Sequence, residues 1–255
     1  MSNEILKYIN YRYIYDIHEK SETDYKCPYC QNGILQCGEG DLYYFESPES
    51  KALRYDEFWE PDWIEYIFNA SLRCKACSEV VLCSGKGTEI GLSIQGDEEE
   101  LSKLDPEDWT SRGFVPKYFV PSLNLCQIPD ECPDIIIEDI KASFSLAFSD
   151  FSASGNRLRS ALEKLTSHLL PNSTKNFHDR LVELATVDGE ASEILMSIKW
   201  LGNEASHESS LKHYDMAYAF EALGYALTRL FDEAPRNIHS FAKSINLSRR
   251  SIAKT

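Results

Sequence analysis

Two Cys-x-x-Cys pairs constrain this chain more than any other feature: Cys27-Pro-Tyr-Cys30 and, 43 residues later, Cys74-Lys-Ala-Cys77. Each pair presents two thiolates from one tight turn, and two such turns complete the tetrahedral four-sulfur shell that zinc favours. The long intervening loop is a small obstacle, because loop-closure entropy grows only logarithmically with length. The spacing therefore predicts one zinc ion held by Cys27, Cys30, Cys74 and Cys77. With four thiolates the shell is closed, so the ion is expected to be structural rather than an activator of water. A redox dithiol is the competing reading of one Cys-x-x-Cys, and two pairs in one short β-rich stretch argue against it. Cys37 and Cys83 follow the pairs and read either as alternative ligands or as small buried strand residues. Cys126 and Cys132 carry no ligand spacing and read as structural.

The sequence around the pairs is β-like. Gly33–Cys37, Trp63–Phe68 and Val80–Cys83 are short apolar runs bounded by turns, as in the strands of a zinc ribbon. Between them lies the acidic, aromatic segment from Tyr55 to Trp63, which reads as a partner-binding loop or as a cap on a small core. The first 24 residues are rich in Tyr and Ile and fit either a helix or a strand packed on the zinc unit. Residues 96–133 form a connector. Asp97–Glu100 is a charge run, and Pro106, Pro116, Pro121, Pro129 and Pro133 interrupt regular structure. Phe114 to Val120 suggests an extended strip lying against a domain.

After Pro133 the apolar period lengthens to that of a helix. Ile135, Ile136, Ile140, Phe144, Leu146 and Phe148 mark a first amphipathic stretch, and Leu158, Leu162, Leu165, Leu169 and Leu170 a second, stopped by Pro171. Phe177, Leu181 and Leu184 open a third region that continues through Ile194 to Leu201, and Tyr214–Phe231 is the fourth. The expected fold class is therefore α+β. A small β-rich zinc-ribbon domain (1–95) and the connector (96–133) precede a helical bundle of four or five helices with a basic tail (134–255).

Charge narrows the function classes. The chain carries a formal net charge of −15, so phosphate binding by the whole surface is disfavoured. From Arg236 to Thr255 there are five cations and no acid, which leaves −20 on the residues before. That tail is either a solvated helical end or a contact for phosphate or an acidic partner. No apolar run is long enough to span a membrane, and the N-terminus lacks a secretory pattern. The expected location is the cytoplasm, where cysteines serve as thiolates rather than disulfides.

One segment of the helical half carries chemistry. In Lys199-Trp-Leu-Gly-Asn-Glu-Ala-Ser-His207 a helix is expected to end near Gly202, and Asn203 and His207 stand four apart, on one face of a helical turn. Such a pair caps and packs a helix end, or binds phosphate and moves protons if His207 titrates near neutrality.

Pro116-Lys-Tyr-Phe-Val-Pro121, Arg159-Ser-Ala-Leu-Glu163, Trp200–His207 and Phe241–Asn246 together resemble the domain-of-unknown-function family 4145, a branch of the HEPN-like helical domains. Members often carry an N-terminal Cys-x-x-Cys pair of pairs. The resemblance implies a four- or five-helix bundle, a homodimer formed through it, and a setting near bacterial restriction and antiphage systems. In HEPN ribonucleases an Arg, a polar residue and a His act on RNA at a dimer interface. Aligning Asn203 and His207 with the latter two puts Gly202 where the Arg would stand. Lys199 lies one turn upstream, and Arg157 and Arg159 are the cations that the second helix could supply.

The expected function is a non-catalytic, zinc-containing binding or assembly module, an accessory or regulator in a bacterial defence setting. Its zinc unit meets a protein partner and its bundle dimerises. The first alternative is a metal-independent endoribonuclease using His207 and Asn203, with Lys199 or Arg159 holding phosphate. The second is a non-cleaving RNA or DNA binder acting through the basic tail.

Overall fold

The computed structural model describes residues 22–91, 110–207, 213–232, 242–243 and 245–247. The first 21 residues, the Asp97–Glu100 run, Pro106 and most of the basic tail lie outside the described residues. Two compact units emerge. Of the described residues, one comprises those from Glu22 to Asn124 with Phe144–Asp150, and the other comprises Leu125–Ser143 and those from Phe151 on.

The first unit is a curled five-stranded antiparallel meander. Strands β1 (Glu22–Lys26), β2 (Ile34–Glu46), β3 (Glu65–Cys74), β4 (Val80–Gly91) and β5 (Thr110–Val120) follow one another in sequence order. Period-2 alternation on β3 explains which face is inside: Tyr66, Phe68, Ala70, Leu72 and Cys74 are buried, and the residues between them face outward. Their neighbours continue the layer, with Leu35 and Cys37 on β2, Val81 and Cys83 on β4 and Phe114 on β5. The β2–β3 register breaks between Cys37 and Leu42, where Gly40 takes φ +75°, so β2 bulges away and bends.

Residues 110–120, placed by the sequence within the connector, are β5, paired along β4 from Leu82↔Val120 to Gly91↔Thr110. Two features hide this strand in the sequence. Pro116 sits at a register shift on the sheet edge, where no ladder donor is required. Gly85 and Gly87 on β4 leave room that side chains would fill, since a Cβ on Gly85 would lie 2.8 Å from Phe68 Cε1.

Between β2 and β3 the chain forms α1 (Pro48–Leu53) and a 3₁₀ turn (Pro61–Trp63). Ser47 caps α1 by accepting from Ser50 N at 3.1 Å, with Pro48 in the first turn, where its missing N–H costs nothing. Arg54 is clamped to both oxygens of Glu46 at 2.8 Å and lies over the Trp59 ring. Asp56 Oδ1 accepts from Phe58 N at 2.9 Å in a local Asx-type turn. Phe148 closes this unit, with ring centroids 4.8 Å from Phe119 and 6.1 Å from Tyr25.

The second unit is helical: α2 (Asp134–Leu146), α3 (Phe151–Leu169), α4 (Phe177–Leu184), α5 (Gly189–His207) and α6 (His213–Phe231). Of the apolar stripes predicted from the sequence, Leu158, Leu162 and Leu165 on α3 and Phe220, Leu223 and Leu227 on α6 are core, whereas Ile135 and Trp200 are exposed and Phe148 packs in the sheet unit. Asn176 caps α4 by accepting from Asp179 N. Ser143 and Ser154, both buried, each donate to the other's carbonyl at 2.8 Å and join α2 to α3. Cys126 packs under α6, where a Cβ on Gly224 would lie 2.9 Å from its Cβ. Burial, with Glu221 and Cys132 nearby, pushes its thiol up to about 12.

The helix expected to end near Gly202 runs on to His207. The reason is packing. Gly202 is buried, and a Cβ there would make ordinary contacts at 3.6 Å from Gly155 O and 3.7 Å from Arg159 Cβ, so the position is interior to a packed helix face rather than a stop. Among the described residues no helix is long and apolar enough to cross a membrane.

Candidate functional site

The four cysteines of the two pairs come together at one end of the sheet. Cys27 follows β1 and Cys30 precedes β2, while Cys74 ends β3 and Cys77 precedes β4, so two adjacent turns face each other. Cys27 Sγ lies 3.7 Å from Cys77 Sγ, and Cys30 Sγ lies 3.6 Å from Cys74 Sγ. All four sulfurs fall within 4.8 Å of one another. These are not disulfides, whose sulfurs sit about 2.0 Å apart. They match the edges of a tetrahedron with metal–sulfur bonds of about 2.3 Å, roughly 3.8 Å. None of the eight cysteines is in a disulfide. The four-cysteine cluster can hold a metal ion, and the donor set suits a soft or borderline cation such as zinc.

The two turns are built alike. Gln31, after Cys30, takes φ 57°, and Ser78, after Cys77, takes φ 65°. Gln31 N donates to Cys27 O at 2.9 Å, and Ser78 N donates to Cys74 O at 3.0 Å. Backbone N–H groups point at sulfur: Gly33 at Cys30, and Ala76 and Cys77 at Cys74. The Cys77 and Ala76 amides outweigh burial and lower the Cys74 thiol to about 6. At Cys77 the Glu79 amide pulls down, but burial and the neighbouring Cys74, Cys30 and Cys27 sulfurs push the thiol up to about 12. Four crowded sulfurs thus resist full ionisation unless a cation shares their charge.

Gly33 completes the site, and ligand spacing alone did not single it out. A Cβ there would lie 2.3 Å from Cys74 Sγ and 2.8 Å from Ala76 Cβ. Its position three residues after Cys30 was the available signal. Cys37 and Cys83 stand outside the cluster, buried on β2 and β4. Burial, and then proximity to Cys37, raises the Cys83 thiol far above its usual range, which suits a packed neutral side chain.

In the helical unit the structure brings together part of the second constellation. Arg159 Nη1, from α3, donates to Asn203 Oδ1 on α5 at 3.0 Å, and its Nε donates to Glu163 at 3.3 Å. Arg157 goes elsewhere, to Asp139 at 3.5 Å. Lys199 is buried, with its Nζ 3.3 Å from His178 Nδ1 and 3.9 Å from the Trp200 ring centroid. His178 was not foreseen, since nothing in the local sequence marks it. The backbone of His207 is the last residue of α5, and its side chain lies outside the described residues.

Comparison with known proteins finds two family matches on separate stretches of the chain. No curated protein and no solved structure matches it. Pro116–Phe119, read above with the helical family, falls within the first of two family matches and on β5. That match covers residues 16–119 and is to the family described as Domain of unknown function (DUF8608). Residues 141–250, which hold the Arg159–Asn203 pair, match the family described as Domain of unknown function (DUF4145).

Proposed function

We propose that this protein is a non-catalytic binding module whose sheet unit is fixed by one structural zinc ion and meets a protein partner. The observation that carries the reading is a pair of aromatic rings held in water by an ordered loop. Tyr55 is 93% exposed and Phe58 75% exposed. The Ser47 cap, the Arg54–Glu46 clamp and the Asx turn at Asp56 leave the loop little freedom to lose on association. Exposed aromatic side chains on a pre-organised loop have the character of interface anchors. The zinc shell supports the reading from the other side: four thiolates leave no open coordination position for chemistry. A homodimer through the helical unit and a role as accessory or regulator in bacterial defence belong to the same proposal and rest on the family resemblance; a cytoplasmic location is proposed with them as a compartment that keeps clustered cysteines reduced.

The test is affinity capture with the full chain and with the double variant Tyr55→Ala, Phe58→Ala, followed by reconstitution from purified components. A defined partner lost with the double variant, while metal content and melting temperature stay unchanged, supports the module. A partner set that ignores the two rings overturns it.

One observation favours a second reading. Arg159 places a guanidinium against Asn203 although Gly202 occupies the position of the expected Arg. On this reading the chain is a metal-independent endoribonuclease in which His207 transfers protons, Asn203 positions it, and Arg159 and Lys199 hold phosphate. Cleavage of RNA without added metal, lost in His207→Ala, supports it. Intact RNA after prolonged incubation removes it.

A further inference from the structure

Lys199 is the anomaly of the helical unit. It is 8% exposed, yet among the described residues its ammonium has no carboxylate partner, meeting only His178 Nδ1 and the Trp200 face. Other cations of this unit behave differently: Lys164 reaches Asp139 at 2.7 Å, Arg229 reaches Asp188 at 2.7 Å, and Lys175 reaches Glu183 at 3.3 Å. An ammonium withdrawn from water without a counter-ion is costly, and an imidazole nitrogen and a ring face offset only part of that cost. One hydrogen bond to His178 leaves two of its three N–H donors for another acceptor.

The surroundings say what that acceptor is. Three helices meet here: α5 brings Lys199, Trp200 and Asn203, α4 brings Phe177 and His178, and α3 brings Arg159. The Arg159 guanidinium lies 5.9 Å from the Phe177 ring centroid, and the neighbouring His178 holds Lys199. Arg159 spends one nitrogen on Asn203 and another on Glu163, a pair that stays part-exposed. Two cations and an imidazole thus gather on a chain whose formal net charge is −15. That overall charge repels a long polyanion more strongly than a compact oxyanion, so the small anion is the better match to these few groups.

We propose that Lys199, with His178 and Arg159 beside it, forms a binding site for a single phosphate group, free or as a phosphomonoester. The ammonium supplies the charge-assisted contact. Trp200, 54% exposed next to it, offers a ring face to whatever the phosphate carries. The proposal shares Lys199 and Arg159 with the second reading above and deepens it by naming the ligand, but it requires no catalysis, so binding without RNA cleavage would leave it standing while that reading fails.

The test is titration calorimetry of the zinc-loaded full chain with inorganic phosphate, and separately with adenosine monophosphate, at constant ionic strength. Saturable binding at one site per chain is expected, with a dissociation constant in the millimolar range or below (about −4 kcal/mol at 1 mM). Lys199→Met should weaken it at least about tenfold, as loss of one charge-assisted hydrogen bond does. Lys164→Met, whose ammonium meets Asp139 and the Ile135 carbonyl and none of these groups, should leave it unchanged. Equal binding of both ligands indicates a free-phosphate site, and tighter binding of the nucleotide indicates a monoester site using Trp200. If Lys199→Met does not fold, the Trp200 indole resonance of the wild type should shift with phosphate and report the same dissociation constant. No saturable binding to the wild type overturns the proposal. So does undiminished binding by Lys199→Met, or binding of an RNA oligonucleotide without binding of either small ligand.

Discussion

Replacing Gly33 by alanine separates the metal site from the fold with one methyl group. The added Cβ would lie 2.3 Å from Cys74 Sγ, 2.8 Å from Ala76 Cβ and 3.1 Å from Ala76 N. Ordinary contact begins at about 3.5 Å, so relief demands a shift of more than about 1 Å. Metal–sulfur bonds tolerate about 0.2 Å. The sulfur also cannot swing freely, because Ala76 N and Cys77 N are directed at it. Gly33→Ala should therefore remove Cys74 from the shell. Disturbing groups outside a metal's ligand shell already costs about 10–100-fold in affinity, so loss of a ligand should cost at least about 100-fold, close to 3 kcal/mol. Gly40→Ala is the control: its φ of +75° makes alanine strained by roughly 1–2 kcal/mol, but nothing lies within 4 Å of its Cβ. Competition with a chromophoric zinc chelator reads both variants. Gly33→Ala should surrender metal at chelator concentrations that leave wild type and Gly40→Ala loaded. Wild-type affinity in Gly33→Ala would refute the geometry of the site.

Other outcomes follow from the same coordinates. Acid should release the metal, because bound thiolates must stay deprotonated. Protons compete for all four sulfurs as pH falls, so metal loss followed by chelator absorbance should rise with acid. Asp139 is depressed in the helical unit: burial raises it, but Lys164, Ser160 and Arg157 outweigh that. Its contribution to stability is therefore present above the unfolded carboxylate value of about 3.9 and is lost as pH falls through the lower folded value, so Asp139→Asn should flatten acid unfolding below about pH 4. Gly202→Ala should be neutral or stabilising by up to about 1 kcal/mol, since its Cβ meets ordinary contacts inside a helix. Gly224→Ala should destabilise by about 1–3 kcal/mol against Cys126, and thermal melts of the two variants should separate in opposite directions.

How much of this was legible beforehand depends on how local each signal is. The four metal-site cysteines could be read because each pair encodes its own turn, and the helical core because Leu158, Leu162 and Leu165 repeat at the period of their own helix. β5 could not be read so easily. Its partner β4 lies across residues 92–109, and Pro116 and Gly113 break its alternation, tolerated at a sheet edge with a register shift. Gly202 misled for a related reason. A glycine on a packed helix face has the same letter as one that ends a helix, and only Gly155 and Arg159 across the contact distinguish them. The meeting of Arg159 with Asn203, and of His178 with Lys199, spans 44 and 21 residues and depends on how three helices pack. Sequence spacing carries no trace of it.

The account stands first on the metal, and the most direct measurement is the metal content of the natively purified chain together with its free thiols. One zinc per chain is predicted, with the four cluster thiols protected until a chelator is added. A Cys27→Ser, Cys74→Ser variant should hold no zinc and should lose the cooperative unfolding of the sheet unit. A chain purified without metal yet fully folded, or retention of zinc by the double variant, would contradict the assignment of Cys27, Cys30, Cys74 and Cys77 as the ligands.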